Sequence, residues 1–295
     1  MATFLAGIRL KNYCGYKNTN FPFINQETGE IKKFCVIYGP NGIGKSSLLE
    51  AIRLIGNPFI YQGKNTELMF RKLTHHPDYD PTYTFIKEKV SPNRMRIDGV
   101  FDKDGEYKSI TISNKGLVSS DLSEKPRGYV YNLDADNPMN MVKFQVLADQ
   151  GDLFLNVAES IYGLKCEFTT SVEEKLKDID GKDKKVNIYT GFIIEKKDGT
   201  RVHFKRMSAG EKKIATLISY LCDPLYMENI DIITVDNYSM HVFYTRHSFM
   251  VDKFIECFPN KQFIVTTHSE TVIEHVRKNL GDDHLFDLSE IKYEK

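Results

Sequence analysis

Residues 39–46 have the types and the spacing of a loop that binds phosphate groups. The segment Gly39-Pro-Asn-Gly-Ile-Gly-Lys-Ser46 follows an apolar run and precedes a segment of helical periodicity, so it satisfies GxxxxGK[ST] in the required context. Its glycines let backbone N–H groups turn toward phosphates, and a helix N-terminus adds partial positive charge. Lys45 would reach the β- and γ-phosphates of ATP, and the Ser46 hydroxyl would bind Mg²⁺. The predicted nucleotide-binding residues here are Gly39, Pro40, Asn41, Gly42, Ile43, Gly44, Lys45, Ser46 and Ser47.

An acid at the end of an apolar run is the second candidate. The run Ile230-Asp-Ile-Ile-Thr-Val-Asp236 predicts a strand whose carboxyl end carries Asp236. In an α/β sheet that end lies beside the phosphate loop, where the carboxylate would hold Mg²⁺. The same pattern also fits an ordinary buried strand that ends in a polar cap. We predict Ser46 and Asp236 as the metal ligands.

The segment Met207-Ser-Ala-Gly-Glu211 precedes a helix with one apolar face. Ser208 and Glu211 fit a capping box, which needs no ligand. Gly210 favours an additional role, because a glycine in a first helical turn costs stability relative to alanine and is explained if a phosphate approaches the backbone. Ser208, Gly210 and Glu211 are therefore further predicted nucleotide-binding residues.

A third buried strand, Gln262-Phe-Ile-Val-Thr-Thr-His268, ends in a histidine. A lone histidine at the end of a strand is usually structural. Here it completes an ordered series of phosphate loop, SxGE, strand with aspartate and strand with histidine. That order is more specific than any one member, so His268 is a predicted catalytic residue.

The elements that must position these residues lie mainly at the two ends of the chain. A strand in GIRLKNYCGY, a turn at Asn25–Glu30, a buried strand at Phe34–Tyr38 and a helix at Ser46–Ile55 are predicted first. From Ser208 onward the pattern is helix, strand, helix, strand, helix. We expect residues 1–56 and 207–295 to form one α/β core.

The pattern of residues 57–206 differs from that of the two ends and predicts an inserted lobe. Two β-hairpins are expected, at Met95–Ser113 around Asp102–Gly105 and at Val186–Phe204 around Lys197–Thr200. Met141–Leu164 has helical periodicity, and the charge-dense Glu173–Lys185 predicts a solvated helix and loop.

Bulk properties limit the classes of protein. The 295 residues are 41% hydrophobic, enough for a sizeable core, and contain no apolar run as long as a membrane span and no signal peptide. We expect a cytoplasmic protein with no membrane partner. Five scattered cysteines without a CxxC pair argue against a disulfide framework or zinc. Forty basic and forty acidic residues cancel, so any contact with DNA needs a local patch.

Together these motifs resemble the ATP-binding cassette (ABC) superfamily, with Walker A at Gly39–Ser46, the signature at Ser208–Glu211, Walker B ending at Asp236 and the switch histidine at His268. The phrases IRLKNYCGY, GPNGIGKSSLLEAI and TTHS are similar to the chromosome-maintenance (SMC), RecF and OLD branch. The resemblance covers the two ends and leaves the middle unmatched. It implies an α/β fold, a P-loop ABC-type ATPase head with a lobe of β-hairpins and helices.

The resemblance also implies a mechanism with ATP and Mg²⁺ as cofactors. Two copies would sandwich two ATP molecules, each bound by Walker A of one subunit and completed by Ser208 and Gly210 of the other. The partner is then a second copy, in a homodimer or higher oligomer. ATP binding would select the closed dimer, because these contacts depend on the γ-phosphate.

One departure from the family pattern affects catalysis. The residue after the Walker B aspartate is usually a glutamate that polarises the attacking water, and here it is Asn237. An amide can orient water but cannot take a proton near neutral pH, so we expect slow hydrolysis or none. Three explanations stay open: a natural slow switch, a base from elsewhere such as His241 or a partner's acid, or an engineered trapping substitution.

Other residues are weaker candidates. The family has a Q-loop between Walker A and the signature, for which Gln145 and Gln150 are available, although either fits an exposed helical glutamine. Asn12, Tyr13 and Tyr16 could approach the nucleotide base, although aromatics near a strand end are more often core residues.

Three functions follow from the resemblance. The first is an ATPase that acts with DNA in repair, recombination, or phage and anti-phage biology. The second is an ATP-gated assembly module that holds a separate effector such as a nuclease or toxin, favoured by the absence of a recognisable nuclease motif. The third is a transporter subunit, which is less similar because transporters usually follow Walker B with glutamate and a SALD-like segment.

Overall fold

The computed structural model describes residues 3–56, 95–113, 116–121, 130–134, 144–147, 151–169, 171–177, 181–189, 191–222, 230–239 and 246–293. Its strands are β1 Thr3–Tyr13, β2 Tyr16–Pro22, β3 Phe34–Tyr38, β4 Arg96–Lys103, β5 Glu106–Ser113, β6 Gly116–Ser120, β7 Val130–Asp134, β8 Phe144–Leu147, β9 Lys165–Phe168, β10 Ser171–Lys177, β11 Asp183–Tyr189, β12 Phe192–Glu195, β13 Arg201–His203, β14 Ile232–Asp236, β15 Gln262–Thr266 and β16 Leu285–Asp287. Its helices are α1 Lys45–Gly56, α2 Gly151–Tyr162, α3 Ala209–Leu221, α4 His247–Cys257, α5 Glu270–Asn279 and α6 Leu288–Tyr293.

A parallel sheet in the order β16-β3-β15-β14-β7 carries the site. All its pairs are parallel, so the carboxyl ends of β3, β14 and β15 meet at one edge. Alternate side chains point to opposite faces of such a sheet. Phe34 and Val36 belong to one apolar core, whereas Cys35 and Ile37 belong to the other. The sheet is covered on both faces, which is why its strands are continuous apolar runs.

Helix α1 lies between this sheet and an antiparallel sheet in the order β2-β1-β4-β5-β6. The apolar side chains of α1 are fully or almost fully buried against both. The approach of β4 to α1 is close at Gly99, where an added Cβ would lie 2.5 Å from Cδ1 of Ile55. A side chain at position 99 would therefore require Ile55 to shift, and the antiparallel sheet packs closely on the helix that follows the phosphate loop.

The other face of the parallel sheet packs against α2, α3, α4 and α5. Two small sheets, β10-β11-β8 and β13-β12-β9, complete the described fold. The predicted alternation of helix and strand after Ser208 is confirmed by α3, β14, α4, β15 and α5. The hairpin around Asp102–Gly105 is confirmed as well, with Lys103 opposite Glu106 in β4 and β5.

The segment 57–206, predicted as an inserted lobe, contributes strands to both large sheets. β4 pairs with β1, and β7 pairs with β14 of the parallel sheet. This segment therefore supplies the second antiparallel partner of β1 and the edge strand beside β14. The predicted boundaries at 56 and 206 therefore do not separate it from the core, although residues 57–94 lie outside the described part.

Three local predictions in the same segment need correction. The predicted helix Met141–Leu164 contains a strand, β8, before α2 begins at Gly151, because Phe144–Leu147 pairs with β11. The predicted helix and loop at Glu173–Lys185 is a hairpin of β10 and β11, whose strands pair from Ser171 opposite Tyr189 onward. The hairpin predicted at Val186–Phe204 is shorter and pairs only β12 with β13.

Candidate functional site

The phosphate loop connects β3 to α1. Its three glycines, Gly39, Gly42 and Gly44, all have positive φ, at 136°, 74° and 111°. Residues with a Cβ rarely adopt such angles, so the glycines are required by the path of the loop. The loop is also held from outside, because the hydroxyl of the buried Tyr16 donates a hydrogen bond to Gly44 O at 3.0 Å. The backbone at the start of α1 is thereby fixed.

Lys45 is directed back over the loop. Its side chain is largely buried, and its Nζ donates hydrogen bonds to Gly39 O at 2.9 Å and to Pro40 O at 3.0 Å. Burial lowers the pKa of Lys45 from its ordinary value, and the nearby charge of Asp236 partly opposes that shift. An ammonium in this position would gain most from anionic oxygens, such as those of a polyphosphate.

Ser46 and Asp236 meet although they lie far apart in the sequence. Ser46 Oγ, in the first turn of α1, donates a hydrogen bond to Oδ2 of Asp236 at 2.6 Å. The other carboxylate oxygen accepts a hydrogen bond from the hydroxyl of Thr266, at the end of β15. A hydroxyl and a carboxylate oxygen side by side are hard ligands that fit Mg²⁺, which proteins bind through one or two carboxylates together with substrate phosphates.

Asn237 follows β14 in a left-handed conformation with φ 50°. Its backbone N–H donates to Thr266 Oγ1 at 2.8 Å, and its carbonyl accepts a hydrogen bond from Nζ of Lys213 at 2.7 Å. Asparagine tolerates this region of φ better than most residues with a Cβ. The side chain of residue 237 is therefore attached to a backbone that contacts both β15 and α3.

His268 lies at the same edge of the sheet, just beyond β15, and its side chain is exposed. Partial burial and the positive charge of Lys45 lower the pKa of His268, and the charge of Asp236 opposes this effect. The imidazole is thus within electrostatic range of both residues. The structure brings Lys45, Ser46, Asp236, Asn237 and His268 together, as the sequence predicts.

Ser208 and Glu211 form the predicted capping box at the start of α3. The N–H of Ser208 donates to Oε2 of Glu211 at 2.9 Å, and the N–H of Glu211 donates to Oγ of Ser208 at 3.3 Å. Glu211 also pairs with Lys196, and its carbonyl accepts a hydrogen bond from Tyr162 at 2.6 Å. Burial raises the pKa of Glu211, but the hydrogen bonds from Lys196 and Ser208 outweigh it and lower the pKa.

Within the described residues, no hydrogen bond connects Ser208, Gly210 or Glu211 to the phosphate loop of the same chain. Ser208 is exposed, whereas Gly210 is buried. The structure therefore assembles the Walker A and Walker B residues in one chain, and among the described residues the signature is not hydrogen-bonded to the phosphate loop.

A cleft of about 280 Å³ opens beside Ser46 and Asp236. Tyr13 and Cys14 contribute to it from the tight turn between β1 and β2, where Cys14 and Gly15 both have positive φ. The aromatic ring of Tyr13 is largely buried, so Tyr13 is also a core residue, which was the other interpretation from the sequence. The remaining residues that line this cleft are Ser47, Leu49 and Glu50.

Several residues at the site were not predicted from the sequence. Thr266 and Lys213 carry no recognisable motif, although Thr266 lies within the phrase TTHS. The backbone of Asp134 lies opposite Asp236 in the register of β7 and β14. Asp134 could have been identified from the sequence as the acid at the end of a short strand, the same pattern that identified Asp236. Of the weaker candidates, Gln145 lies in β8, and Gln150 and His241 lie outside the described residues.

Comparisons with known proteins show which folds the chain resembles. A family model described as "AAA domain, putative AbiEii toxin, Type IV TA system" matches residues 34–128, and no curated protein matches. The SMC head domain from Thermotoga maritima matches with a TM-score of 0.54 and 15% identity over 92% of each chain. An Smc head bound to the C-winged-helix domain of ScpA matches with a TM-score of 0.56 and 15% identity, over 92% of this chain and 91% of that chain. A Pyrococcus furiosus Smc head with an extended coiled coil, bound to the C-terminal domain of ScpA, matches with a TM-score of 0.54 and 11% identity over 92% of each chain.

The chain has the fold of the Smc head domains, and residues 34–128 match a family model of an AAA domain. The P-loop ATPase-head fold that the resemblance of the motifs implies is therefore confirmed. None of the described helices is long and apolar enough to cross a membrane, and no group of three or more His, Cys, Asp or Glu in the same residues could hold a metal ion.

Proposed function

We propose that this chain binds ATP with Mg²⁺ at the phosphate loop and that ATP joins two copies into a dimer. The observation that carries the ATP site is the contact between Ser46 Oγ and Asp236 Oδ2 at 2.6 Å, next to the buried ammonium of Lys45. This set of groups offers metal ligands and a cation for the phosphates at one edge of a parallel sheet, where nucleotides bind in α/β folds.

The proposed dimer follows from where the signature lies. Ser208 is exposed at the start of α3, and its capping box leaves the N-terminus of that helix, with its partial positive charge, at the surface. A phosphate from a second copy is the ligand that such a helix start favours. In this arrangement ATP is bound by Lys45 of one subunit and by Ser208 and Gly210 of the other.

Replacing Lys45 with alanine tests the ATP site. The variant loses a charge-assisted interaction with the phosphates, and we expect its affinity for ATP–Mg²⁺ in calorimetry to fall by about a hundredfold or more. Lys278→Ala, which removes an exposed lysine of α5, is the matched control and should bind normally. Equal affinities of the two variants would refute the assignment.

Slow turnover is part of the proposal. Asn237 stands where a general base would act, and His268, at the same edge of the sheet, has a pKa that burial and the charge of Lys45 lower from its ordinary value, which makes it a weaker base. A dimer that forms on binding ATP and hydrolyses it slowly would be long-lived. Such a protein acts as an ATP-dependent clamp or switch. The match to a toxin–antitoxin family model supports a role for this clamp in a toxin–antitoxin system.

DNA is the ligand that we propose for this clamp, because the antiparallel sheet carries a local basic patch. We define the basic patch as Arg9, Lys11 and Arg96, all exposed. Lys11 lies directly opposite Arg96 in the register of β1 and β4. Asp98, opposite Arg9, is the nearby acid and pairs with Arg96.

Duplex DNA binding by the ATP-loaded protein tests this second proposal. Binding should weaken as salt rises, and the double variant Lys11→Glu, Arg96→Glu should reduce the slope of log affinity against log salt by about 2. Lys278→Glu is the matched control for the change of charge. If no DNA binds at low salt in any nucleotide state, DNA is wrong as the proposed ligand and a protein effector is the alternative; the Smc heads in two of the matched structures are bound to domains of ScpA.

A further inference from the structure

Residues at the start of α3 lie on two different faces of the helix. Ser208, which is exposed, and Glu211, which is half-buried, lie at the start of the helix, on the side proposed to meet the ATP of a second copy. Lys213 is two residues after Glu211, which places it on a different face of the helix. Its side chain is only 2% exposed, and its Nζ donates to the carbonyl of Asn237 at 2.7 Å. One short helix therefore connects the signature to the residue that follows Asp236.

The peptide groups at residue 237 are held from two sides. The N–H of Asn237 donates to Oγ1 of Thr266, whose hydroxyl also bonds to Asp236, and the N–H of Tyr238 donates to Thr266 O at 2.8 Å. The carbonyl of Asn237 is held by Lys213. These contacts hold the backbone of Asn237 at φ 50°. The contact from α3 is that of Lys213.

We propose that Lys213 is a positioning residue that couples the two ATP sites of the dimer. This inference rests on the proposed function, because it requires that ATP of one subunit contacts Ser208 of the other. When that contact immobilises α3, Lys213 holds the carbonyl of Asn237 more firmly. The backbone that carries residue 237 then becomes ordered in response to nucleotide bound across the interface.

Hydrogen–deuterium exchange tests the coupling without requiring hydrolysis. A non-hydrolysable ATP analogue with Mg²⁺ should dimerise the protein and slow exchange in residues 237–239 by about tenfold, the scale expected for strengthening a hydrogen bond to a charged donor. In Lys213→Met the dimer should still form, but this slowing should be lost. Lys213→Arg keeps the charged donor and should restore it. Lys212→Met, at the half-buried neighbouring lysine, is the matched control.

The possible outcomes separate this inference from the proposed dimer. If Lys213→Met dimerises and slows exchange at 237–239 as the wild type does, the coupling role is wrong and the dimer stands. If Lys213→Met does not fold, the wild type alone decides: slowed exchange at 209–214 without any change at 237–239 also overturns the role of Lys213. If the wild type binds the analogue but does not dimerise, the proposed sandwich fails first, and the coupling fails with it.

Discussion

Replacing Asn237 with glutamate tests whether this position limits hydrolysis. A carboxylate can accept a proton from the attacking water, and a positioned general base contributes about 10²- to 10⁴-fold to a rate. The backbone at residue 237 has φ 50°, and a side chain longer than asparagine strains this conformation by about 1 kcal/mol. The new carboxylate also lies next to Asp236. We therefore expect the lower end of the range, an increase in kcat of about a hundredfold.

The matched control for this change is Asn237→Gln, which has the length of glutamate and the same backbone strain but no base. Phosphate release at saturating ATP–Mg²⁺ measures kcat, and thermal unfolding should show that both variants melt about 2 °C below the wild type. The glutamate variant should hydrolyse ATP about a hundredfold faster than the glutamine variant. Equal rates of the two variants would refute the reasoning and place the base elsewhere.

Three further predictions concern stability. Tyr238 has a buried hydroxyl without a partner among the described residues, so Tyr238→Phe should raise the free energy of unfolding in urea by about 1 kcal/mol, and a decrease would contradict this. Gly99→Ala should lower it by about 1–3 kcal/mol, because the new Cβ meets Ile55, and adding Ile55→Val should recover part of the loss. The pKa of Glu211 is lower in the folded protein than its value of 4.5 in the unfolded chain, so ionised Glu211 stabilises the fold at a pH above 4.5. This stabilisation is lost as the pH falls through the pKa of the folded state. The stability difference between wild type and Glu211→Gln should therefore be larger at pH 7 than at pH 3.5, and an unchanged difference would refute the cause.

The residues of the phosphate loop were predictable from the sequence because their chemistry is local. Glycines at fixed offsets, a lysine and a serine follow one another along residues 39–46, and the strand and helix on either side have clear periodicities. Asp236 and His268 were predictable for a related reason, since parallel strands with apolar runs bring their carboxyl ends to one edge of the sheet.

The elements between residues 130 and 190 were not predictable in the same way. Val172 and Leu176 are four residues apart, as on one face of a helix, and the charged residues around them suggested a solvated helix. Pairing with β11 decides the structure instead, and Lys185 of β11 forms an ion pair with Glu173 of β10 at 3.0 Å. Likewise β7 has no local signal for its place beside β14, from which about 100 residues separate it. Lys213 was missed because its contact with Asn237 depends on the packing of α3.

The mass of the protein in solution tests the central claim most directly. Light scattering should show that the wild type doubles its mass with a non-hydrolysable ATP analogue and Mg²⁺. Ser208→Arg should bind the analogue but remain a monomer, because the arginine blocks the start of α3, whereas Ser208→Ala loses the helix cap and the hydroxyl contact with ATP but leaves the helix start open, and should still dimerise, though more weakly. A wild-type protein that binds the analogue and keeps the mass of one chain would contradict the account.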